Sequence, residues 1–316
     1  MKSFQLPAPN FHLPAMRLAA GRSRTTLVPL VIVLSIAFSC VTTLAALAVN
    51  RIVYVTITDA KGMPVTDLTP ADFKVKEAGK DREIVKAEPA KARPHIALLV
   101  EERLASDPSA RLGLFEFVKR INGTAEMSLI TVGLRNTTVA PYVTDPNVLL
   151  KAINELSLNP QPTSNLTEGI NEVAKLFEQQ RPERPVIVVL GLSGGQAGGG
   201  SASSILTQLR QSGAPLYCVT YGPPSTSNSA NLGTMGDESA REQVLGDGAK
   251  QSGGRRLDVV SANAIPKALQ QIADDLAAQY VITYALPDGV KPDRRFTITT
   301  DRKGITMRAP AALPDR

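Results

Sequence analysis

At 316 residues, with 43% hydrophobic and 20% charged residues, the chain can bury one large core and a smaller one, which excludes a wholly disordered protein. Its 35 basic residues exceed its 29 acidic ones, but Lys2, Arg17, Arg22 and Arg24 lie in the first 48 residues, where no acidic residue occurs. The remainder is close to neutral and the chain has no Trp, which argues against a nucleic-acid reader.

The basic opening leads into an uncharged apolar run from Thr25 to about Val49. Such a run is an export signal or an anchor. Ala46-Leu47-Ala48 supplies the small residues that cleavage needs, and the run is long enough to cross a bilayer if it is not cut. In both cases the positive flank stays cytoplasmic and the body is extracytoplasmic, whether periplasmic, secreted or anchored. Ala37-Phe38-Ser39 is a poor lipobox, so Cys40 reads as one more apolar residue.

Residues 50–90 alternate apolar and polar positions in short runs broken by Asp59-Ala60-Lys61-Gly62 and Glu77-Ala78-Gly79-Lys80, the pattern of a small β module. Its core would come from Ile52 and Tyr54 or from Val53 and Val55, with Phe73, Val75, Ile84 and Val85. Forty residues are too few for a free-standing domain, so the module should lean on the larger segment after it.

From 93 to 285 apolar strands alternate with amphipathic helices, predicting an α/β fold with a doubly wound, mostly parallel sheet of about seven strands. The strands are Ile96 to Val100, Met127 to Val132, Thr137 to Val143, Val186 to Leu190, Leu216 to Tyr221, Leu257 to Val260 and Tyr280 to Tyr284. Helical stripes recur at Leu149, Ile153 and Leu156, at Leu166, Ile170, Val173 and Phe177, and at Ile265, Leu269, Ile272 and Leu276. Cys218 lies within an apolar strand and is expected to be a buried, inert thiol. Pro223 to Asp237 is polar, lacks an apolar period and predicts a mobile surface loop. Residues 286–316 form a β extension in which alternation on either side of Asp301-Arg302-Lys303-Gly304 predicts a terminal hairpin.

Gly191-Leu192-Ser193-Gly194-Gly195 satisfies G-x-S-x-G after an apolar strand, the position of a hydrolase nucleophile. The only histidines are His12, in the leader, and His95, upstream of the serine; none follows it, so Ser193 lacks the usual base. A Gly-rich turn accounts for the motif better. The glycines after it lack the lysine of a P-loop. Beyond the leader, one His and one Cys exclude the usual zinc sets and leave only oxygen-ligand sites for Mg²⁺ or Ca²⁺.

Residues 93–284 resemble a von Willebrand factor A domain. The body from Arg51 onward is similar to the VWFA-related proteins of the Acidobacterial type, in which a β module precedes that domain. The similarity is carried by Ile57-Thr58-Asp59-Ala60-Lys61-Gly62-Met63-Pro64-Val65-Thr66-Asp67-Leu68, by Asp72-Phe73-Lys74-Val75-Lys76-Glu77 and by the closing strand Gln279-Tyr280-Val281-Ile282-Thr283-Tyr284. The resemblance implies a metal-ion-dependent adhesion site, with D-x-S-x-S in the first loop, a Thr in the second and an Asp in the third. This chain has Glu101-Glu102-Arg103-Leu104-Ala105 in the first loop, Thr163 or Ser164 in the second, and Gly194 after Ser193 in the third. One carboxylate and one hydroxyl are too few for a hard cation, so the site is expected to be degenerate, with no metal and no cofactor. Arg103 is a candidate to fill the cation's position by pairing with Glu101 or Glu102.

The expected function is non-enzymatic, metal-independent interaction or scaffolding with an unidentified protein partner, through loops carrying Glu101, Glu102, Arg103, Thr163, Ser164, Ser193 and Gly194. No nucleic acid is expected, and membrane contact only through an uncleaved leader. Two other readings stay open: a weak Mg²⁺ or Ca²⁺ adhesion module using Glu101, Ser164 and Glu102, and a hydrolase built on Ser193.

Overall fold

A computed structural model describes residues 49–157, 164–194, 200–222 and 232–315; the side chains of 232–237 are not described. The predicted leader lies outside the described residues. So do Thr163, 195–199 and the first part of the predicted 223–237 loop.

The described residues belong to one compact unit. It begins with β1 (Val49–Asp59), β2 (Phe73–Glu77), β3 (Lys80–Arg82) and β4 (Ile84–Pro89). The α/β part comes next as β5 (His95–Glu101), α1 (Pro108–Ile121), β6 (Glu126–Val132), β7 (Asn136–Val143), α2 (Pro146–Asn154) and α3 (Leu166–Gln180). It continues through β8 (Pro185–Leu192), α4 (Ala202–Ser212), β9 (Leu216–Tyr221), α5 (Leu232–Gln251), β10 (Arg255–Val259) and α6 (Ile265–Ala277). The chain closes with β11 (Gln279–Leu286), β12 (Phe296–Thr300) and β13 (Ile305–Arg308).

The central sheet has six strands in the order β10-β9-β8-β5-β6-β7, all parallel except the edge strand β7, and realises the α/β fold the sequence predicts. β5 sits in the middle because it is apolar on both faces, as a strand covered by helices on each side must be. Successive side chains point to opposite faces. Ile96, Leu98 and Val100 therefore meet Leu114, Phe117, Ile153 and Leu269 from α1, α2 and α6. Ala97 and Leu99 meet Leu166, Ile170, Phe177, Ile205 and Leu245 from α3, α4 and α5. Asp107 caps α1 by accepting from the Ala110 amide at 2.9 Å, with Pro108 in the first turn, where its missing N–H costs nothing.

β11 departs from expectation. Its sequence suggests a seventh strand of the parallel sheet, but it lies instead between β1 and β4, antiparallel to both, in the four-stranded sheet β13-β1-β11-β4. A second sheet, β12-β2-β3, faces it. Val53, Val55, Ile57, Ile282 and Tyr284 pack against Phe73, Val75, Phe296 and Ile298 in the core between them. Of the two faces of β1 the sequence leaves open, Val53 and Val55 enter the core and Ile52 is 52% exposed, while Val85, expected in the core, is 53% exposed. The predicted terminal hairpin does not form: β12 pairs with β2 while β13 pairs with β1, so the two strands join different sheets. Each strand needed a partner that completes this core, and the segments that supply it are remote in sequence. The predicted loop is also shorter than expected, since residues 232–237 already belong to α5.

The β unit and the α/β part share a buried polar junction. Arg184 donates through Nε to Gln279 Oε1 at 2.8 Å, through Nη2 to the Leu276 carbonyl at 2.6 Å and through Nη1 to the Ala92 carbonyl at 2.9 Å. Tyr217 of β9 shares its hydroxyl with Thr56 at 3.2 Å and accepts from Gln279 Nε2 at 3.3 Å. Asp275 of α6 pairs with Arg308 of β13 at 2.5 Å and Arg255 of β10 at 3.2 Å.

Ile282→Ala, in the centre of the β core, is expected to lower unfolding free energy by about 2–5 kcal/mol in urea titration, because the lost methyl groups leave a cavity. Cys218 is fully buried, and burial pushes its thiol up to about 12. Iodoacetamide at neutral pH is therefore expected to modify Cys218 only under unfolding conditions, as mass spectrometry would register.

Candidate functional site

The parallel strands deliver their carboxyl ends to one end of the sheet, where ligands of such folds meet the connecting loops. β5 ends in Glu101, which is 3% exposed, and the chain turns at once into a 3-10 turn, Glu102–Leu104, anchored by buried Leu104. β6 ends beside Gly133, whose carbonyl accepts from the Asn165 amide at 3.0 Å. Asn165 Nδ2 also donates to the Leu134 carbonyl at 2.9 Å, so the entry to α3 is tied to the end of β6. β8 ends at Leu192, and the Ser193 amide donates to the Tyr221 carbonyl at 2.8 Å.

Glu101 is held from two directions. One carboxylate oxygen accepts from the Leu192 amide, and the same oxygen accepts from Arg241 Nη2 at 2.8 Å. Arg241 Nη2 also donates to the Leu192 carbonyl at 2.8 Å. The guanidinium is wholly buried, and it joins the end of β5, the end of β8 and α5. Its Nε and Nη1 have no hydrogen-bond partner among the described residues. The geometry leaves no space for a side chain beneath it: a Cβ on Gly191 would lie 2.8 Å from Glu101 Oε2 and 3.3 Å from Arg241 Nη2. The first glycine of the G-x-S-x-G motif thus makes room for an ion pair. A Cβ on Gly133 would lie 2.1 Å from Glu102 Oε2, so the second carboxylate also rests on a glycine.

The sequence points to Arg103 as the compensating cation, but Arg103 is exposed. Glu101 pairs instead with Arg241, which shares the buried side of α5 with Val244, Leu245 and Gly248, three, four and seven residues on. That spacing is the one signal the sequence holds for Arg241, and it is faint because α5 is otherwise too polar to show a clear apolar stripe.

Glu102 is half-buried, as are Ser193 and Gly194, the latter with φ of +74°. Ser164 is buried and its Oγ has no hydrogen-bond partner among the described residues, so it does not bond to Glu101. Thr163 lies outside the described residues. His95 stands at the opposite end of β5, bonded through Nδ1 to Glu126 at 2.9 Å and stacked on Tyr142. A strand of seven residues, roughly 20 Å, separates it from the end of the sheet that carries Ser193. The fold does not bring this base and this hydroxyl together.

The six-stranded sheet with helical layers on both faces defines an α/β fold of known type. The chain contains a von Willebrand factor type A domain, matched over residues 110–249. Among solved structures it is similar to proximal thread matrix protein 1 of the mussel byssus, at 13% identity over 60% of this chain and 49% of that one, with a TM-score of 0.45. An aerotolerance-related membrane protein of Bacteroides fragilis matches at 18% identity over 58% of this chain and 99% of its own length, with a TM-score of 0.42. BatB of Bacteroides thetaiotaomicron matches at 16% identity over 58% and 98%, with a TM-score of 0.39. The chain spans about half the length of the mussel protein. No curated protein matches it.

Arg241→Met is expected to destabilise the protein by about 3–5 kcal/mol in chemical denaturation, because it strands the Glu101 charge in a buried site. The double variant Glu101→Leu with Arg241→Met should recover most of that loss. Equal stability of the single and double variants would show that the pair is not coupled.

Proposed function

We propose that this chain is an extracytoplasmic protein-interaction module whose adhesion face works without a divalent cation. Domains of this type are commonly interaction modules. The apolar leader of the sequence supports the extracytoplasmic location.

The observation that carries the metal-free reading is the guanidinium of Arg241 on Glu101. A hard cation needs a shell of several oxygens. Here the bonded Glu101 oxygen already accepts from a positive group and a backbone amide, and Gly194 has no side chain to offer. These residues do not fit Mg²⁺ or Ca²⁺, and no step of the proposed function runs through either. The buried ion pair does the work of a metal in fixing the first and third loops to each other. The face left for a partner consists of Glu102, Arg103, Ser193 and Gly194, with Ser164 on its border. Adjacent charges of opposite sign at Glu102 and Arg103 suit a polar protein surface better than a nucleic acid or an anionic membrane.

Thermal unfolding of the full chain is expected to be unchanged by millimolar Mg²⁺, Ca²⁺ or Mn²⁺, since any ligand that prefers the folded state must raise Tm. A saturable rise that Glu101→Ala abolishes would overturn the metal-free reading.

A further inference from the structure

A second surface lies at the other end of the sheet, where β8 and β9 begin. β11 pairs with β1 along Val49–Thr56, but on its other side β1 is covered by β13 only over Thr56–Asp59. The chain after β13 has the direction needed to continue that pairing, but it leaves the ladder and meets β1 again by side-chain contact, the Pro314 carbonyl accepting from Arg51 Nη2 at 2.5 Å. Pro310 has no N–H to donate to a ladder. The Ala311 amide is taken instead by the Gln251 carbonyl at 2.8 Å, at the end of α5. The diverted tail packs on Gly253, where a Cβ would lie 2.7 Å from the Pro310 nitrogen. Among the described residues, no strand pairs with Val49–Val55 on this side.

This open edge borders a cleft of about 720 Å³. Its walls include Ile52 on the strand, Leu206, Leu209 and Arg210 on α4, Pro215 before β9 and Pro310 on the tail. Val49 and Ile52 are 59% and 52% exposed, an unusual condition for apolar residues beside a free strand edge. Arg210 Nε is shielded from solvent and has no hydrogen-bond partner among the described residues.

We propose that this cleft binds an extended peptide segment of a partner protein, added antiparallel to β1 as a strand that takes the line β13 abandons. Seven residues of edge, roughly 20 Å of strand, supply main-chain hydrogen bonds. Alternate apolar side chains of the peptide meet Ile52 and Leu206, and a carboxylate on the peptide pairs with Arg210. The cleft is at the opposite end of the sheet from Glu101, so the assignment is independent of the metal-free reading.

The test is fluorescence anisotropy of the full chain with a labelled six-residue peptide that alternates valine and threonine and ends in one glutamate. Saturable micromolar binding is expected, weakened roughly tenfold by Ile52→Lys and by Arg210→Gln. Both positions are at least partly exposed, so these variants should fold. Two further peptides carry N-methyl groups on alternate backbone nitrogens, one set in each register. Methylation of the set facing β1 should abolish binding, and methylation of the other set should spare it. Absence of saturable binding up to about 1 mM, indifference to Ile52→Lys, or equal effects of the two methylated sets would overturn the proposal. Dimerisation in light scattering that Ile52→Lys removes, without peptide binding, would assign the edge to a second copy of this chain and overturn it as well.

Discussion

The Glu101–Arg241 ion pair is the constraint on which the loop end of the sheet depends. A carboxylate 3% exposed at the end of a central strand cannot remain charged without a partner, because burial removes the water that would otherwise solvate it. The partner here is a guanidinium from α5, far along the chain. It also reaches the Leu192 carbonyl, so one charge pair sets the spacing of β5, β8 and α5. Gly191 is fixed by the same pair, since any side chain there would enter the space of both charged groups. A hydrolase motif in the sequence thus becomes, in the fold, the space that a buried salt bridge requires.

The β unit obeys a different constraint. No segment of it can bury its apolar face alone, and its strands come from both sides of the α/β part in sequence. β1 enters before that part, and β11, β12 and β13 leave after it. Their packing joins segments from before and after the α/β part, and Arg184, Tyr217 and Asp275 link this unit to that part through buried hydrogen bonds and ion pairs. The arrangement explains why about forty residues at the amino end do not read as a domain by themselves. It also explains why β13 stops short: the tail is needed at Gln251 and Gly253, and part of β1 is left as an edge.

Much of the fold was legible. The apolar runs of β5, β6, β8 and β9 are nearly continuous, because strands covered on both faces bury successive residues, and the stripes of α2, α3 and α6 repeat at three to four, because one face of each helix is buried. The elements that misled were those whose partners are distant. Gln279 to Leu286 has the composition of a buried strand, and composition does not say which sheet receives it. Phe296–Thr300 and Ile305–Arg308 alternate on either side of a turn-like tetrad, and a hairpin would show the same pattern.

The candidate site divides in the same way. The identities of Glu101, Ser164 and Gly194 are visible in the chain itself, since identity and order along the loops are properties of sequence. The partner of Glu101 is not, because Arg103 is near Glu101 in the chain while Arg241, 140 residues away, is adjacent in space. The sequence by itself determined the layers and the apolar patterns of the buried strands and helices. Tertiary structure alone decided which arginine meets Glu101, which sheet takes β11 and which part of β1 no described strand covers. Local periodicity is written by burial of one face, whereas partners are chosen by the packing of the whole.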